Sequence, residues 1–589
     1  MPTIGRLLVA NRSEIAVRVF RACKELGITS IAIYSEIDRD AFHLGFADEA
    51  YYVGETPAAE SYLNIGHIIE AARKGRADGV HPGYGFLAEN PTFAQTVLDA
   101  GLIWVGPPPA AIRAMGDKVS ARKVAGEAGV PTVPGTLDPA SGPEDIEAFA
   151  AEHGWPVAIK AIHGGGGRGF RVVRSPDEAG PAFESAGREA GLAFGNRDLY
   201  LERYLDKPRH IEIQVLGDAH GNVVHVGERE CSLQRRHQKL LEESPSPVVD
   251  PDLRAQMGAA AVKLCRHAGY FSVGTAEFLL EEASPGDKTG EKTGPRFYFL
   301  ELNTRLQVEH PVTELVSGLD LVKEMIWVAE GRPLHFTQEE ASMRGHAIEC
   351  RINAEDPARN FMPSPGTITE YREPAGPGIR VDAGAGRGTT ISEFYDSLIA
   401  KLICYGANRT EAIQRMRRAL DEYRLEGVTT TIPFHRLVAG AGWFERGEFS
   451  TSTVETSIDL SGLATGAPRP GEGRARDVTV ELSGKRFAVR LWERPGAHRN
   501  KPQLPEPGAR GGHAGVGETI TAPMQGTILR VLAEEGATVV VGAPILVLEA
   551  MKMENLIVAH RDGQVKSLKV KAGDSVQLGA PLAVIGPPD

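Results

Sequence analysis

The sequence predicts an α/β N-terminal region, a longer α+β middle region and a small all-β unit with internal pseudo-twofold symmetry at the C-terminus. The chain has 589 residues, too many for a single packed core, because domains average about 150 residues. Strand and helix patterns alternate through the first hundred residues, and evenly spaced glycines recur through the last seventy. These observations indicate several domains of different fold class.

The N-terminal region consists of repeated strand and helix patterns. An apolar run at residues 6–10 precedes a segment with Ile15 and Leu26 at helical spacing, and Gly27 ends that segment. A second apolar run covers residues 28–34. Because crossover helices bury continuous apolar strands on both faces, this repetition predicts a parallel sheet. The first strand is not followed by GxGxxG, which disfavours a dinucleotide-binding domain.

The composition is typical of a globular protein. Charged residues make up 24% and hydrophobic residues 42%, which excludes a disordered or collagen-like chain. A net charge of -12 offers nucleic acid no general attraction. Five cysteines without CxxC spacing indicate reduced thiols. With no leader-like start and no long apolar window, we expect a cytoplasmic protein without a membrane span.

The last seventy residues contain an internal repeat. Glycine spacings of ten and six residues occur twice, first in Gly526, Gly536 and Gly542 and then in Gly563, Gly573 and Gly579. Two glycine-punctuated strand sets predict a small antiparallel sandwich. By symmetry, Lys552 should lie at an exposed hairpin turn, where it is flanked by Met551 and Met553 rather than by charges. Solubility does not explain methionines at such a position.

A linker is predicted between the middle region and this unit. Residues 461–518 hold eleven Gly and six Pro, too many for a continuous core. Within them, residues 476–482 and 486–492 alternate apolar and polar side chains, which predicts one isolated β-hairpin. A lone hairpin is marginally stable, so we expect it to pack on something else. It could dock a partner protein, or the whole segment could be a solvated linker.

A candidate phosphate-binding lid lies in the middle region. A strand at residues 157–160 ends in Lys160, a glycine-rich turn covers residues 164–169, and a second strand follows. This strand-turn-strand pattern differs from the strand-to-helix turn of a Walker P-loop. Glycines let backbone N–H groups approach phosphate oxygens, while the lysine supplies a positive charge.

Oxygen ligands on two predicted strands suggest a metal site. Glu277 lies on one strand, and Glu301 and Asn303 lie on one face of the next. Such ligands suit Mg2+ that bridges nucleotide phosphates. The sequence then continues with Arg305, Gln307, Val308 and Glu309, a set that could hold a small planar anion and remove its proton.

Together these patterns resemble the ATP-grasp biotin carboxylases. The residues around Lys552 resemble the attachment motif of biotinyl carrier domains. As a whole, the chain resembles the α subunits of bacterial acyl-CoA carboxylases, in which one chain contains both the biotin carboxylase and the carrier domain. In the carboxylase part it rests on Ala10–Arg12, His81–Asn90, Gly116–Lys118, Arg229–Lys239 and Asn303–His310.

The resemblance implies roles for individual residues. The ATP-contacting positions would be Lys118, Lys160, Gly165, Gly166, Glu202, Leu205, His210, Gln234 and His237. Metal ligands would be Glu277, Glu301 and Asn303, and the bicarbonate pocket would comprise Lys239, Arg305, Gln307 and Val308. Glu309 would be the base that deprotonates bicarbonate, Arg351 would stabilise negative charge on biotin, and Lys552 would carry biotin.

The resemblance also implies a domain plan. It comprises an α/β biotin carboxylase N-terminal domain, an α+β ATP-grasp domain, an α+β C-terminal carboxylase domain, a linker with a hairpin, and an all-β carrier sandwich of the biotinyl/lipoyl type. The expected boundaries, in that order, are residues 1–115, 116–335, 336–450, 451–518 and 519–589.

The implied activity is ATP- and bicarbonate-dependent carboxylation of biotin held on the same chain, with Mg2+ or Mn2+. A separate carboxyltransferase β subunit would then make malonyl-CoA or methylmalonyl-CoA, as in fatty acid biosynthesis. Biotin protein ligase and an α/β hetero-oligomer are the further expected partners. An ATP-grasp ligase that does not use biotin and a subunit of a pyruvate carboxylase remain as alternatives.

Overall fold

A computed structural model gives the architecture of the chain. It describes residues 3–116, 118–136, 138–161, 170–194, 196–282, 294–463, 474–482, 485–493, 519–523, 526–550, 553–577 and 579–587.

The N-terminal unit is built on a parallel sheet, as predicted. Its described strands follow the order β3-β2-β1-β4-β5, and every recorded pairing is parallel. The first helix ends at Leu26 because Gly27 adopts the left-handed conformation, with φ 70°. Strands are β1 Arg6–Val9, β2 Thr29–Ser35, β3 Glu49–Gly54, β4 Gly79–His81 and β5 Ile103–Trp104. Helices are α1 Ser13–Leu26, α2 Ile65–Lys74, α3 Pro91–Asp99, α4 Pro109–Gly116, and the 3-10 turns Glu36–Asp38, Phe42–Phe46 and Ala58–Glu60.

The predicted lid strands form a small antiparallel sheet, in the order β7-β6-β8. Two helices pack their apolar faces on it, and the buried core includes Ile146, Phe149, Ile159 and Leu201. The glycine-rich turn lies outside the described residues. The elements of this part are α5 Lys118–Glu127, α6 Pro143–His153, β6 Val157–Ala161, β7 Arg171–Val173, α7 Pro176–Phe194 and β8 Leu199–Arg203.

A long antiparallel sheet carries the centre of the molecule. Its described strands follow the order β13-β12-β9-β10-β11 and continue with β14 (His346–Asn353), β21 (Leu398–Gly406) and β19 (Ile379–Ala383). The sheet therefore runs across the boundary predicted at residue 336. Strand β14 pairs directly with β11, which joins the two α+β regions through backbone hydrogen bonds. The first five of these strands are β9 Arg209–Gly217, β10 Val223–Arg235, β11 Gln238–Ser244, β12 Ser272–Glu281 and β13 Arg296–Asn303. The helices beside them are α8 Pro251–His267, α9 His310–Ser317 and α10 Leu321–Ala329.

The third region completes this sheet and covers one face of it. An apolar core that includes Phe361, Phe434 and Phe444 packs between the sheet and helices. Its strands are β14 His346–Asn353, β15 Glu355–Asp356, β16 Met362–Pro363, β17 Gly366–Thr367, β18 Glu370–Arg372, β19 Ile379–Ala383, β20 Thr390–Ile391, β21 Leu398–Gly406 and β22 Arg424–Glu426. Its helices are α11 Arg409–Glu422, α12 Ile432–Gly440, α13 Gly442–Glu445, α14 Thr453–Thr456 and the 3-10 turn Pro357–Arg359.

The isolated hairpin and the pseudo-twofold sandwich are both confirmed. Strands β23 and β24 pair only with each other among the described strands. The sandwich consists of two described four-stranded sheets, ordered β25-β32-β30-β27 and β29-β28-β26-β31. The strands are β23 Arg474–Leu482, β24 Lys485–Glu493, β25 Thr519–Thr521, β26 Gly526–Val531, β27 Thr538–Val539, β28 Pro544–Ala550, β29 Met553–Val558, β30 Gly563–Leu568, β31 Ser575–Val576 and β32 Pro581–Gly586.

Across the part of the chain that the structure describes, no helix combines the length and the apolar character needed to cross a membrane. The described cysteines are buried and unbridged, as the sequence predicts.

Candidate active site

A lysine surrounded by carboxylates lies at the centre of the long sheet. The Lys239 ammonium on β11 lies 2.8 Å from a Glu309 oxygen and 3.0 Å from a Glu277 oxygen. It also contacts Glu212 on β9. All four side chains are almost fully enclosed by protein, so their charges interact in a poorly solvated environment.

The strand sequence explains why so many charges are buried here. Along β9, apolar Ile211 and Ile213 face one side of the sheet, while Glu212 and Gln214 face the other, and all four are buried. Arg229 on the neighbouring strand neutralises this polar face. Its guanidinium lies 2.9 Å from Glu212 and 2.6 Å from the Gln214 oxygen. Buried charges of this kind are tolerated when they are paired and hydrogen-bonded.

A second arginine extends the cluster toward the third region. Arg351 on β14 donates to Glu309 at 2.8 Å and to Glu242 at 2.6 Å. The register of β11 and β14 brings Glu242 opposite Glu349, so this arginine lies among three carboxylates. Glu309 thus receives hydrogen bonds from one lysine and one arginine.

The surroundings set the protonation states of these groups. Burial raises the pKa of Glu309, but Lys239 and Arg351 outweigh it and hold that pKa well below its usual range. Burial dominates at Glu242, whose pKa rises to about 7 despite its bond to Arg351. The pKa of Lys239 is raised, because its three carboxylates overcome the desolvation penalty. Glu309 is therefore an anion at neutral pH, next to two fixed cations.

The three residues predicted to bind metal lie together. Glu277 and Glu301 are register partners on β12 and β13. The Asn303 amide nitrogen donates to Glu277 at 2.6 Å, while its oxygen accepts from Arg305 at 3.0 Å. Two carboxylates and an amide oxygen are hard ligands of the kind that Mg2+ takes.

The residues predicted to hold bicarbonate adjoin this set. Arg305 donates to the Gln307 side-chain oxygen at 2.9 Å, and Gln307 donates to Glu277 at 3.2 Å. Glu89 from the N-terminal unit accepts from Arg305 at 2.9 Å and thereby orients the guanidinium. Val308 follows in the same loop, which leads directly into Glu309.

Four of the predicted ATP-contacting residues form two contacting pairs. His210 lies 2.9 Å from Glu277, and Gln234 lies 3.4 Å from the other ring nitrogen of His210. Burial lowers the pKa of His210, but the Glu277 and Glu212 carboxylates together outweigh it, so the net shift is upward. Lys160 and Glu202 contact each other across the lid sheet.

The other residues predicted to contact ATP lie elsewhere in the sequence and fold. Leu205 is buried against Val133 and Tyr298, and His237 is exposed at the turn between β10 and β11 with φ 63°. Lys118 begins α5. Gly165 and Gly166 lie outside the described residues.

Lys552 also lies outside the described residues. The strands on either side of it, β28 and β29, are antiparallel, and Ala550 pairs with Met553.

Several residues of the cluster were not predicted from the sequence. Glu212, Arg229 and Glu242 support Lys239 and Arg351, yet no motif assigned any of them a role. A signal was present: polar residues alternate with apolar ones along β9 and β10, although an exposed strand face would give the same pattern. Only the burial of both sets of side chains in the tertiary structure shows that this polar face is covered.

Comparison with protein families identifies the class of this site. Four family models match the chain: "Biotin carboxylase, N-terminal domain" over residues 3–112, "Carbamoyl-phosphate synthase L chain, ATP binding domain" over 117–337, "Biotin carboxylase C-terminal domain" over 349–456, and "Biotin-requiring enzyme" over 518–585. The chain belongs to the biotin carboxylase family. It is an ATP-dependent ligase that also carries a biotin carrier segment.

Curated relatives agree with this assignment. The biotin carboxylase chain is 46% identical over 610 aligned residues to the biotin-dependent acyl-coenzyme A carboxylase alpha3 subunit of Mycobacterium leprae (strain TN), with 99% of this chain and 98% of the relative covered. It is 52% identical to a pyruvate carboxylase subunit of Methanothermobacter thermautotrophicus, with 77% of this chain and 89% of the relative covered.

Solved structures match the carboxylase part. The biotin carboxylase domain of a thermophilic 2-oxoglutarate carboxylase, bound to bicarbonate, is 45% identical with a TM-score of 0.73, covering 78% of this chain and 100% of that one. A Campylobacter jejuni biotin carboxylase complex is 44% identical with a TM-score of 0.69, covering 77% and 98%. These matches confirm the predicted fold class of the biotin carboxylase.

Proposed function

We propose that this biotin carboxylase is the α subunit of an acyl-CoA carboxylase. It would use ATP and bicarbonate to carboxylate biotin on its own Lys552, and a separate carboxyltransferase β subunit would pass the carboxyl group to an acyl-CoA. The observation that carries this proposal is the presence of a buried charged cluster around Lys239 and Glu309 and of a carrier sandwich on one chain. The near full-length likeness to an acyl-CoA carboxylase α subunit supports it.

Bicarbonate would bind beside Arg305, Gln307 and Val308, with Lys239 supplying further positive charge. Arg305 is already oriented by Glu89 and Gln307, so little reorganisation is needed when an anion arrives. Glu309 is anionic and would accept the bicarbonate proton. An oxygen of the deprotonated anion then attacks the γ-phosphorus of ATP, which releases ADP and forms carboxyphosphate.

The residues present fit a divalent cation. Glu277 and Glu301 face each other across two strands, and Asn303 adds an amide oxygen. Mg2+ or Mn2+ bound there would neutralise phosphate charge. In the structure, Glu277 is paired with Lys239 and His210.

Arg351 would act after carboxyphosphate has decomposed to carbon dioxide and phosphate. Hydrogen bonds to Glu309 and Glu242 hold its guanidinium in one position, so its positive charge has a fixed location in the pocket. Biotin supplies the ureido nitrogen that accepts the carboxyl group. That nitrogen would give its proton to the released phosphate and then form its bond to the carbon of carbon dioxide. Arg351 would stabilise the negative charge that develops in biotin during this step, since preorganised charge is worth most in a poorly solvated site.

The isolated hairpin, β23 and β24, is proposed to dock the β subunit. Residues 469–510 contain ten Lys or Arg and five Asp or Glu, a local net charge of +5 inside an acidic chain. Such a basic segment fits an acidic partner surface.

Deleting residues 474–493 tests the docking role. We expect the deletion to abolish co-purification with a co-expressed β subunit while carboxylation of free biotin continues. Undiminished co-purification would reject the hairpin as the docking element.

A subunit of a pyruvate carboxylase is the second candidate, because one such relative is 52% identical over the carboxylase part. Assaying the complex with its co-purified partner against acetyl-CoA, propionyl-CoA and pyruvate separates the two candidates. Acyl-CoA turnover with no pyruvate turnover is expected, and the opposite result would favour the second candidate.

A further inference from the structure

A buried lysine that no sequence motif singles out, Lys401, contacts the loop of residues 307–309, which is proposed to bind bicarbonate. The side chain of Lys401 on β21 has no solvent exposure. Its ammonium donates to the Val308 backbone oxygen at 2.8 Å. The described residues of β21 carry no other charged side chain, so Lys401 is an exception in an otherwise uncharged strand.

The ammonium is itself oriented by a carboxylate from the N-terminal unit. A Glu14 oxygen at the start of α1 lies 2.9 Å from the Lys401 nitrogen. The other Glu14 oxygen accepts a hydrogen bond from Tyr84. Asp382 on the adjacent strand lies farther away, at 3.9 Å, and is bound by Arg380 at 2.7 Å. Glu14 is thus a closer anionic partner of Lys401 than Asp382.

The position of Val308 gives this contact a bearing on catalysis. The Val308 oxygen belongs to the same planar peptide group as the Glu309 nitrogen, so fixing the oxygen also fixes the start of Glu309. One residue earlier, the Gln307 oxygen accepts from the His310 ring at 2.7 Å. Two successive carbonyls of the loop are therefore held by buried side chains.

Burial alone would favour a neutral lysine, but Glu14 and the other nearby carboxylates outweigh it and raise the pKa of Lys401. The side chain therefore remains an ammonium, which is the stronger hydrogen-bond donor. An unpaired ammonium at this depth would be costly, and its contacts with Glu14 and Val308 satisfy it.

We propose that Lys401 is a positioning residue for bicarbonate, because its ammonium, oriented by Glu14, fixes the Val308 carbonyl and with it the backbone of residues 307–309. This inference rests on the proposed function, in which Val308 and its neighbours hold bicarbonate. It also links the N-terminal unit, through Glu14 and Tyr84, to the loop that carries the base.

The test measures ADP formation by the full chain at saturating ATP with varied bicarbonate, and then with varied ATP. Lys401→Met keeps an unbranched side chain that is shorter by one atom but removes the charged donor. We expect it to raise the KM for bicarbonate on the order of 10-fold, the effect of one lost hydrogen bond to a charged group, with the KM for ATP unchanged.

Asp382→Asn is the matched control. It removes a charge from the same buried cluster without touching the Val308 carbonyl, so it should lower thermal stability and leave the KM for bicarbonate unchanged. An equal rise in both variants would mean that the cluster acts only through stability, and the inference would be wrong.

If Lys401→Met does not fold, Glu14→Gln tests whether the Lys401 ammonium positions the bicarbonate loop. The amide is similar in size to the carboxylate but lacks the charge that pairs with the Lys401 ammonium, so a smaller rise in the KM for bicarbonate is expected, again without a change for ATP. An unchanged KM in these variants overturns the inference alone. A wild-type chain without bicarbonate-dependent ADP formation overturns the proposed function together with it.

Discussion

The charged sheet of the carboxylase and the sandwich of the carrier differ in what they bury. Lys239, Glu309 and Arg351 are buried and held by one another, at the cost of desolvating each charge. The described core of the carrier is aliphatic, with Ile545 and Leu548 fully buried. The carboxylase thus gives up folding free energy to hold fixed charges, whereas the described carrier core is stabilised by the burial of apolar side chains.

This difference follows from the chemistry assigned to each part. Stabilising charge that develops during a reaction requires dipoles and ions that are already in place. Carrying a group between two sites requires a rigid end and a long tether, and the glycine- and proline-rich composition before residue 519 predicts such a linker. Substitutions should therefore have sharply different consequences in the two parts.

The largest effect is expected at the carrier. Lys552→Arg removes the only primary amine of the Met551 to Met553 motif, so biotin ligase has no nucleophile to modify there. Intact-protein mass spectrometry after co-expression with a biotin ligase should find no biotinyl adduct. Lys569→Arg, at an exposed lysine in the second half of the sandwich, serves as the control and should remain fully biotinylated. A biotinyl adduct on the Lys552→Arg chain would contradict the assignment.

The next effect separates catalytic from structural ion pairs on one strand. Arg351 binds Glu242, and Arg409 binds the following residue, Glu243, at 2.7 Å. Arg351→Ala should lower the rate of free-biotin carboxylation on the order of 100-fold, as expected for lost electrostatic stabilisation. Arg409→Ala breaks a comparable buried pair and should lower the melting temperature without that selective loss. Equal carboxylation rates in the two variants would show that Arg351 has no specific role in the reaction.

The smallest effect concerns pH. Burial lowers the pKa of His435, which hydrogen-bonds the Arg351 carbonyl at 2.8 Å, from about 6.5 to about 4. Between these values the unfolded chain binds more protons at this residue than the folded chain, so stability should fall as the pH falls. His435→Asn should flatten this dependence by about 1 kcal/mol per pH unit in urea unfolding of the carboxylase part.

The control for the histidine variant is Thr431→Val. Thr431 donates to the same Arg351 carbonyl at 2.7 Å but does not titrate. Its replacement should lower stability by a similar amount at every pH in the interval. If both variants keep the wild-type pH dependence, another group is responsible for it.

Much of the fold could be predicted from local patterns. The parallel sheet, the lid strands, the isolated hairpin and the pseudo-twofold sandwich follow from apolar periodicity and glycine spacing, and the structure confirms them. The continuous central sheet could not be predicted, because pairing of β11 with β14 joins residues about a hundred positions apart. No local signal specifies which distant strands become neighbours.

The same limit separates the site residues that were predicted from those that were missed. Lys239, Glu309 and Arg351 were placed by motif resemblance, and the structure brings them together. Glu242 and Lys401 contact side chains and carbonyls on distant elements, and no motif of the sequence identifies those partners.

The sequence by itself thus determined the types of domain, because these depend on local spacing, and it predicts the residues for phosphate, metal and anion binding and the carrier lysine. Only the tertiary structure decided which charges share one buried space. A carboxylate such as Glu309 or Glu242 acquires its charge state from burial and from partners supplied by distant strands.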